Sequence, residues 1–506
     1  MIAGGTLLGS ALMLTGVNLL LRFAGTGFQV WLSGRIGAEG VGLLQLVLSV
    51  NFLALTLGTA GGRTAAMYLT AAQLGQGRRD NADRLLGGCF MYSTICSAAV
   101  AMGLFSLAPR LAEVWIGSSD AVLALRTWAA FLPVICLCGI MTGYFTAAQR
   151  IGTLAAVEVA EQLAAFAITV FALSRVAPAD RSGACRAVVL GSCLGAVLTL
   201  ICLMALYAQN PATDSGRIPV AGPILKCALP LALADDLRAG ISALENLLVP
   251  RRLSLYQGIS NPLAAFGKIS GMVFPVLMFP AAILASLSEV LIPELARCAA
   301  VGSRRRIRYL VRRNLRMTMI YGLICSGILY LVSDSLGNRL YPGQEIGPLM
   351  RRFSLLVPML YCDLISDAMT RGLGQQTACA RYSIVSNVVD VSLMFFLLPR
   401  YGIDGYFFSF TLTHALNFAL GLRRTLKISG VKLRPMFPAM SIAIAAFSLL
   451  GGSCFTGPIR RICGFLGLFL GLCFYTGTLG KGDVRWMHNL IFPAKKKPVF
   501  SDATNS

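Results

Sequence analysis

Asp235, Asp236, Arg238, Ser242 and Glu245 lie inside one apolar stretch of the chain, Pro223 to Val249. At helical spacing, positions 235, 238, 242 and 245 share a face and make a polar stripe. A charge inside hydrocarbon costs several kcal/mol when it faces lipid, so the stripe must face a partner or a watery cavity. Two readings are open. Asp235 and Arg238 neutralise each other one turn apart, or Arg238 faces a cavity and receives an anion. Arg22 poses the same question in the first apolar stretch, with Asn18 one turn before it and Thr26 one turn after on the same face. A guanidinium holds a phosphate or diphosphate by paired, charge-assisted hydrogen bonds. The alternative is an ion pair between helices.

A third group is rich in oxygen. Asp363 and Asp367 share a helical face, Asn387 and Asp390 lie one turn apart, and Thr411 and Thr413 follow in the next stretch. Clustered oxygens inside a membrane suit Na⁺ or a proton. Arg251 and Arg252 close the seventh stretch, either as interfacial anchors or as attractors of an anionic headgroup. Glu158 and Glu161 carry no assigned role. His414 is alone in its stretch and cannot make a metal site or a nucleophile-activating pair by itself. No phosphate-binding G-x-x-x-x-G-K-[ST] loop occurs, so an ATP-driven pump on this chain is excluded. The 15 Cys are scattered through apolar segments without metal-ligand spacing and read as small core residues.

The elements that must position these residues are membrane helices. Of 506 residues, 56% are hydrophobic and only 13% charged, and mean hydropathy is +0.71. Soluble domains carry about a quarter charged residues. Apolar runs of about twenty residues recur, each long enough to cross a hydrocarbon core of about 30 Å. The fold class expected is an all-α polytopic membrane protein of about fourteen transmembrane helices. Two pseudo-symmetric six-helix lobes, residues 1–208 and 223–427, flank a connector at 209–222; two further helices (428–480) and a basic tail (481–506) follow. The segments CGIMTGYFTAAQ (138–149) and SDAMTRGLGQQ (366–376) each close a fourth helix of their block, the weak repeat from which transporters build a central site.

The net charge of +22 would suggest nucleic acid in a soluble protein. Here Lys and Arg sit between apolar runs and gather on one side, which places both termini in the cytoplasm and excludes nucleic acid as a partner. The densest run, Arg304, Arg305, Arg306, Arg308, Arg312, Arg313 and Arg316, reads as a topology anchor on anionic lipid. The apolar N-terminal segment reads as a retained first helix, not a signal peptide.

LENLLVPRRL (244–253), GMVFPVLMFP (271–280), SEVLIPELA (288–296) and RIGAEGVGLLQ (35–45) resemble the multidrug/oligosaccharidyl-lipid/polysaccharide exporter superfamily. Within it they are most similar to the stage V sporulation protein B branch, which is related to lipid II flippases. The resemblance implies a transporter of the plasma membrane with no enzyme activity, passing a lipid-linked oligosaccharide or peptidoglycan precursor across by alternating access, in cell-envelope or spore-cortex synthesis. It implies a monomer working beside envelope-synthesis enzymes. Fourteen helices favour the lipid branch, because drug-exporting relatives usually stop at twelve. Arg22 resembles a cavity arginine, and Arg251 and Arg252 match a Pro-Arg-Arg motif. The substrate cavity expected from the residues and the resemblance together comprises Asn18, Arg22, Arg63, Arg238, Glu245, Arg251 and Arg252. Similarity to cation-coupled members places a Na⁺ or H⁺ site at Asp236, Asn387, Asp390 and Thr413. One departure stands out: Gly61-Gly62-Arg63-Thr64-Ala65 replaces the usual Gly-Ile-Pro-x-Ala, trading a kink for a charge at the cavity mouth. The competing readings are a cation-coupled multidrug exporter and a non-transporting scaffold of envelope assembly.

Overall fold

Because hydrocarbon offers no hydrogen-bond partner to the backbone, a chain of this composition must satisfy its amides inside helices. The computed structural model describes residues 4–177, 180–209, 220–432 and 436–479, and among them every regular element is helical. In chain order these are α1 (Gly4–Thr59), α2 (Gly62–Gly75), α3 (Arg79–Arg110), α4 (Ala121–Ala147), α5 (Ile151–Ser174) and α6 (Arg181–Ala208). Then follow α7 (Ala221–Leu253), the short α8 (Pro262–Phe266) and α9 (Phe274–Met278), α10 (Ala281–Ala300) and α11 (Arg304–Leu340). The last are α12 (Gly347–Ser354), α13 (Val357–Gly372), α14 (Gln376–Ser429), α15 (Met436–Ser453) and α16 (Pro458–Tyr475). Most of the connector expected at 209–222 and all of the basic tail at 481–506 lie outside the described residues. Large apolar side chains such as Leu20, Met102, Phe171, Ile201, Phe396 and Leu450 are exposed, which only a lipid solvent rewards.

Among the described residues nine helices are long and apolar enough to cross a membrane. The count rises to eleven when two bent pairs, α8–α10 with a 63° bend and α12–α13 with a 52° bend, are each taken as one span. The first bend falls beside Pro280, between Met278 and Ala281. The expected fourteen counts α1 and α14 twice and includes α7, whose charged residues mask it as a span. Both long helices fold back at a glycine: Gly37 (φ 71°, ψ 173°) in α1 and Gly402 (φ 55°, ψ −130°) in α14. These dihedrals lie where a Cβ clashes with the backbone.

In the first half α3, α4, α5 and α6 pack together, and in the second α7, α11, α13 and α14 do so. α1 joins the halves, lying on α3 and α4 on one side and on α7, α8 and the π-helical turn Gly267–Val273 on the other. The joint is backbone to backbone. A Cβ on Gly42 would sit 2.2 Å from the Leu263 carbonyl oxygen, and one on Gly267 would sit 1.9 Å from that of Ala38. α15 and α16 pair with each other against α11, burying Phe465 and Phe469 completely.

Four interhelical turns repeat one geometry. After α2, α4, α10 and α13, an N–H returns to the carbonyl five residues back: Arg78 to Gln73 (3.0 Å), Arg150 to Phe145 (3.1 Å), Ser303 to Cys298 (3.0 Å) and Gln375 to Thr370 (3.1 Å). The residue before each donor is left-handed: Gly77, Gln149, Gly302 and Gly374. This is the Schellman closure, which satisfies helix-end carbonyls. It falls at matching positions in the two halves, two helices apart in each.

Gly402→Ala should lower thermal stability in detergent, by about 1–2 kcal/mol from the left-handed backbone alone, because its Cβ would also meet the Tyr256 ring at 2.8 Å. Gly471→Ala, in open space inside α16, should leave the melting temperature unchanged or raise it. Equal melting temperatures for the Gly402 variant and the unaltered chain would remove the hinge from the account.

Candidate translocation and coupling site

The fold-back at Gly402 brings the two arms of α14 side by side, so residues far apart in sequence share a site. Asp390, 4% exposed, receives hydrogen bonds at Oδ1 from the Ser409 hydroxyl (2.6 Å) and the Thr413 hydroxyl (3.1 Å). The Glu245 carboxyl lies beside it across the α7–α14 contact. Tyr406 is buried beside both acids and beside Ser270 of the π-helical turn. Acid, hydroxyl and phenol oxygens thus converge from three helical segments at one buried point.

Of the residues expected to couple a cation, Asp390 and Thr413 meet here. Asn387, one turn from Asp390, is half-buried and has no hydrogen-bond partner among the described residues. Asp236 lies apart, more than two turns before Glu245 on α7, where its Oδ1 is buried without a partner beside Asp235. Glu245, expected in the substrate cavity, stands beside Asp390. Ser409 and Tyr406 were not singled out from sequence. The pairing of Ser409 with Thr413 one turn apart was the available signal, hidden because Ser and Thr are common in membrane helices.

The basic residues are dispersed. Arg22 is exposed, and its carbonyl accepts the Thr26 hydroxyl at 2.9 Å. The next residue, Phe23, meets Phe279 edge to face at 4.4 Å, so this face of α1 adjoins the bend before α10. The side chain of Asn18 lies outside the described residues. Arg238 is half-buried with its Nε unpartnered, and no ion pair joins it to Asp235 among the described residues. Arg63, exposed at the start of α2, faces Glu158 electrostatically. Neighbouring Glu161 accepts the Thr199 hydroxyl at 2.7 Å. Arg251 is exposed, whereas the Arg252 guanidinium stacks 3.2 Å from the Phe395 ring centroid. Of the other acids, Asp363 accepts both hydrogen bonds of the Asn417 amide (3.1 Å each), and Asp367 pairs with Arg371 (2.5 Å).

A second feature is a groove of about 920 Å³ between α11, α13, the end of α14 and α15. Leu323, Met359, Phe418, Ile442 and Leu449 form apolar walls, and Arg312, Arg316 and Lys432 stand on its lining as charges. Arg316 is held by the carbonyls of Gly477 and Thr478 and lies over the Phe437 ring. The groove exists because α15 and α16 extend the second half beyond α14.

With this geometry in hand, comparison with known proteins is informative. The profile of the polysaccharide biosynthesis protein family matches residues 7–219. Stage V sporulation protein B of Bacillus subtilis (strain 168) is 21% identical over 475 residues, covering 91% of this chain and 88% of that protein. Among solved structures, the lipid II flippase MurJ in an inward closed conformation superposes with a TM-score of 0.66 at 12% identity, covering 95% of this chain and 100% of that one. An inward-facing multidrug resistance MATE family transporter superposes with a TM-score of 0.62 at 14% identity, covering 83% and 98%.

The carboxyl contact makes a measurable prediction. In a double-mutant cycle on thermal stability, Glu245→Gln and Asp390→Asn should couple by about 1 kcal/mol or more, as contacting residues do. Asp363→Asn with Glu245→Gln should be additive. Additivity of the first pair would mean that the two carboxyls do not touch.

Proposed function

We propose that this chain is a flippase of the multidrug/oligosaccharidyl-lipid/polysaccharide exporter superfamily for a lipid-linked saccharide carried on phosphate, working by alternating access and without covalent chemistry; its MurJ- and MATE-like fold and its sporulation relative support this reading. The observation that carries this reading is the apolar groove between α11 and α15 with Arg312, Arg316 and Lys432 on its lining. Such a groove keeps an acyl or polyprenyl chain in an apolar setting while cations remain within reach of its phosphate. A drug exporter has no need of it.

Movement rests on the joint between the halves. At Gly42 and Gly267 the backbones touch, a contact that fits one closed side of an alternating-access cycle. At the other end of the molecule the halves meet through Gly61 against the Ala228 carbonyl and Gly88 against Val220. Energy enters, in this reading, through Glu245 and Asp390, where Na⁺ or a proton exchanges on oxygens supplied by Ser409 and Thr413. The basic turns after α2, α4 and α10 then face the cytoplasm, as do both termini, and the fourteen-span count stands with each arm of α1 and α14 crossing once. Arg22 and Arg238 supply cavity charge for the saccharide-bearing phosphate.

Reconstituted in liposomes with a fluorescent polyprenyl-diphosphate saccharide, the unaltered protein should speed exposure of the lipid to an outside probe. Arg22→Ala with Arg238→Ala should slow it at least roughly tenfold, as loss of charge-assisted hydrogen bonds predicts. Ile442→Trp, which fills the groove, should slow lipid transfer while leaving efflux of a soluble cationic dye untouched. Dye efflux without lipid transfer would favour the drug-exporter reading, and activity in neither assay with folded protein would favour a scaffold.

A further inference from the structure

A second cavity lies away from the groove and from Asp390, at the end of the first half where α2, α4 and α6 finish and α3 begins. Its volume is about 470 Å³, within the range of small-molecule sites, about 300–1,000 Å³. The back is aromatic: Tyr144, 6% exposed, meets Tyr207 edge to face at 5.2 Å. The front is cationic and polar: Arg79, Gln149 and Arg150 line it, and Gln149 and Arg150 are exposed. Arg79 has Asp83 at 4.0 Å on its own helix. Arg150 has no ion-pair partner among the described residues, although it stands at the rim of a preformed cavity.

The backbone explains why the cavity exists. Gln149 is left-handed (φ 57°), the only one of the four equivalent turns without glycine at that position. The turn it closes, through the Arg150 N–H to Phe145, sets the amide and the guanidinium side by side at the rim. A non-glycine residue in this conformation costs about 1–2 kcal/mol, so the amide side chain occupies a place where packing alone would favour glycine.

We propose that this cavity is a binding site for a phosphate ester, its phosphate held by Arg150 and Gln149 with Arg79 adding positive field, and its organic body resting on Tyr144 and Tyr207. A guanidinium beside an amide donor offers directed hydrogen bonds to phosphate oxygens, and phenol rings give an amphipathic floor for a glycerol or sugar body. The same chemistry is presented by an anionic phospholipid headgroup and by a dissolved sugar or glycerol phosphate. The site does not depend on the transport reading. It occupies the same turn of the first half that in the second half is filled from α14, where Arg424 hydrogen-bonds Gln375 at 3.1 Å and closes the equivalent turn. The first half therefore leaves open a position that the second half satisfies internally.

The test uses the full chain in detergent. Phosphatidylglycerol and phosphatidylcholine binding are counted by native mass spectrometry, and glycerol 3-phosphate binding is measured by titration calorimetry. Arg150→Gln and Ala71→Trp, the second placing bulk on the cavity lining while keeping every charge, should each weaken binding roughly tenfold, the loss of one charge-assisted contact. Arg460→Gln, an exposed basic residue away from the cavity lining, should not. Saturable binding of phosphatidylglycerol alone assigns a lipid headgroup, and saturable binding of glycerol 3-phosphate as well assigns a dissolved ester. Absence of saturable binding by both, equal weakening by Arg460→Gln, or indifference to Ala71→Trp overturns the site.

Discussion

A carboxyl group in the interior of a membrane protein has to be answered by donors, and at Asp390 the answer comes from Ser409 and Thr413, with Glu245 beside it. Both donors lie beyond the fold-back at Gly402, and Glu245 is on α7. The contact therefore fixes how α14 turns and where α7 lies against it, and α7 in turn touches the first half at Ala228 and Val220. Any change in what occupies the carboxyl pair alters a contact on the helix that spans from one half to the other. Under the proposed function, this is the route by which an ion or proton at Asp390 would bias the joint between the halves.

The joint near Gly42 and Gly267 is backbone against backbone, with Val41 seated on Gly271 beside it. α15 is held against α16, and both against α11, by Phe465, whose ring tip would be 2.1 Å from a Cβ on Gly327. The alternating access proposed above would keep α15 and α16 fixed on α11 while the halves part at the joint.

Much of the fold was legible from sequence because lipid allows few solutions, and apolar runs of helical length are the mark of one of them. The Asp390–Thr413 relation could be reached because each residue is polar inside an apolar run. That Glu245 stands beside Asp390 was illegible, because a stripe on one helix says only that it avoids lipid, not which neighbour it meets. Asp235 and Arg238, ideally spaced to pair, do not, since spacing on a helix permits a contact without compelling it. The groove was illegible because it is made by packing four helices whose residues are ordinary apolar ones. The four Schellman turns carry the two-fold relation more clearly than residue identity does, because the geometry persists where Gln149 replaces glycine.

The central claim is that a lipid-linked phosphate travels with its chain in the groove between α11 and α15. The most direct measurement is photolabelling of the purified protein with a polyprenyl diphosphate bearing a photoreactive group on the chain, followed by peptide mapping. The account predicts labels on Met319, Leu323, Ile442 and Ala446, competed away by unlabelled polyprenyl diphosphate and much weaker for a neutral polyprenol. Labels spread over the lipid-facing surfaces of α5 and α6, with no competition, would contradict it.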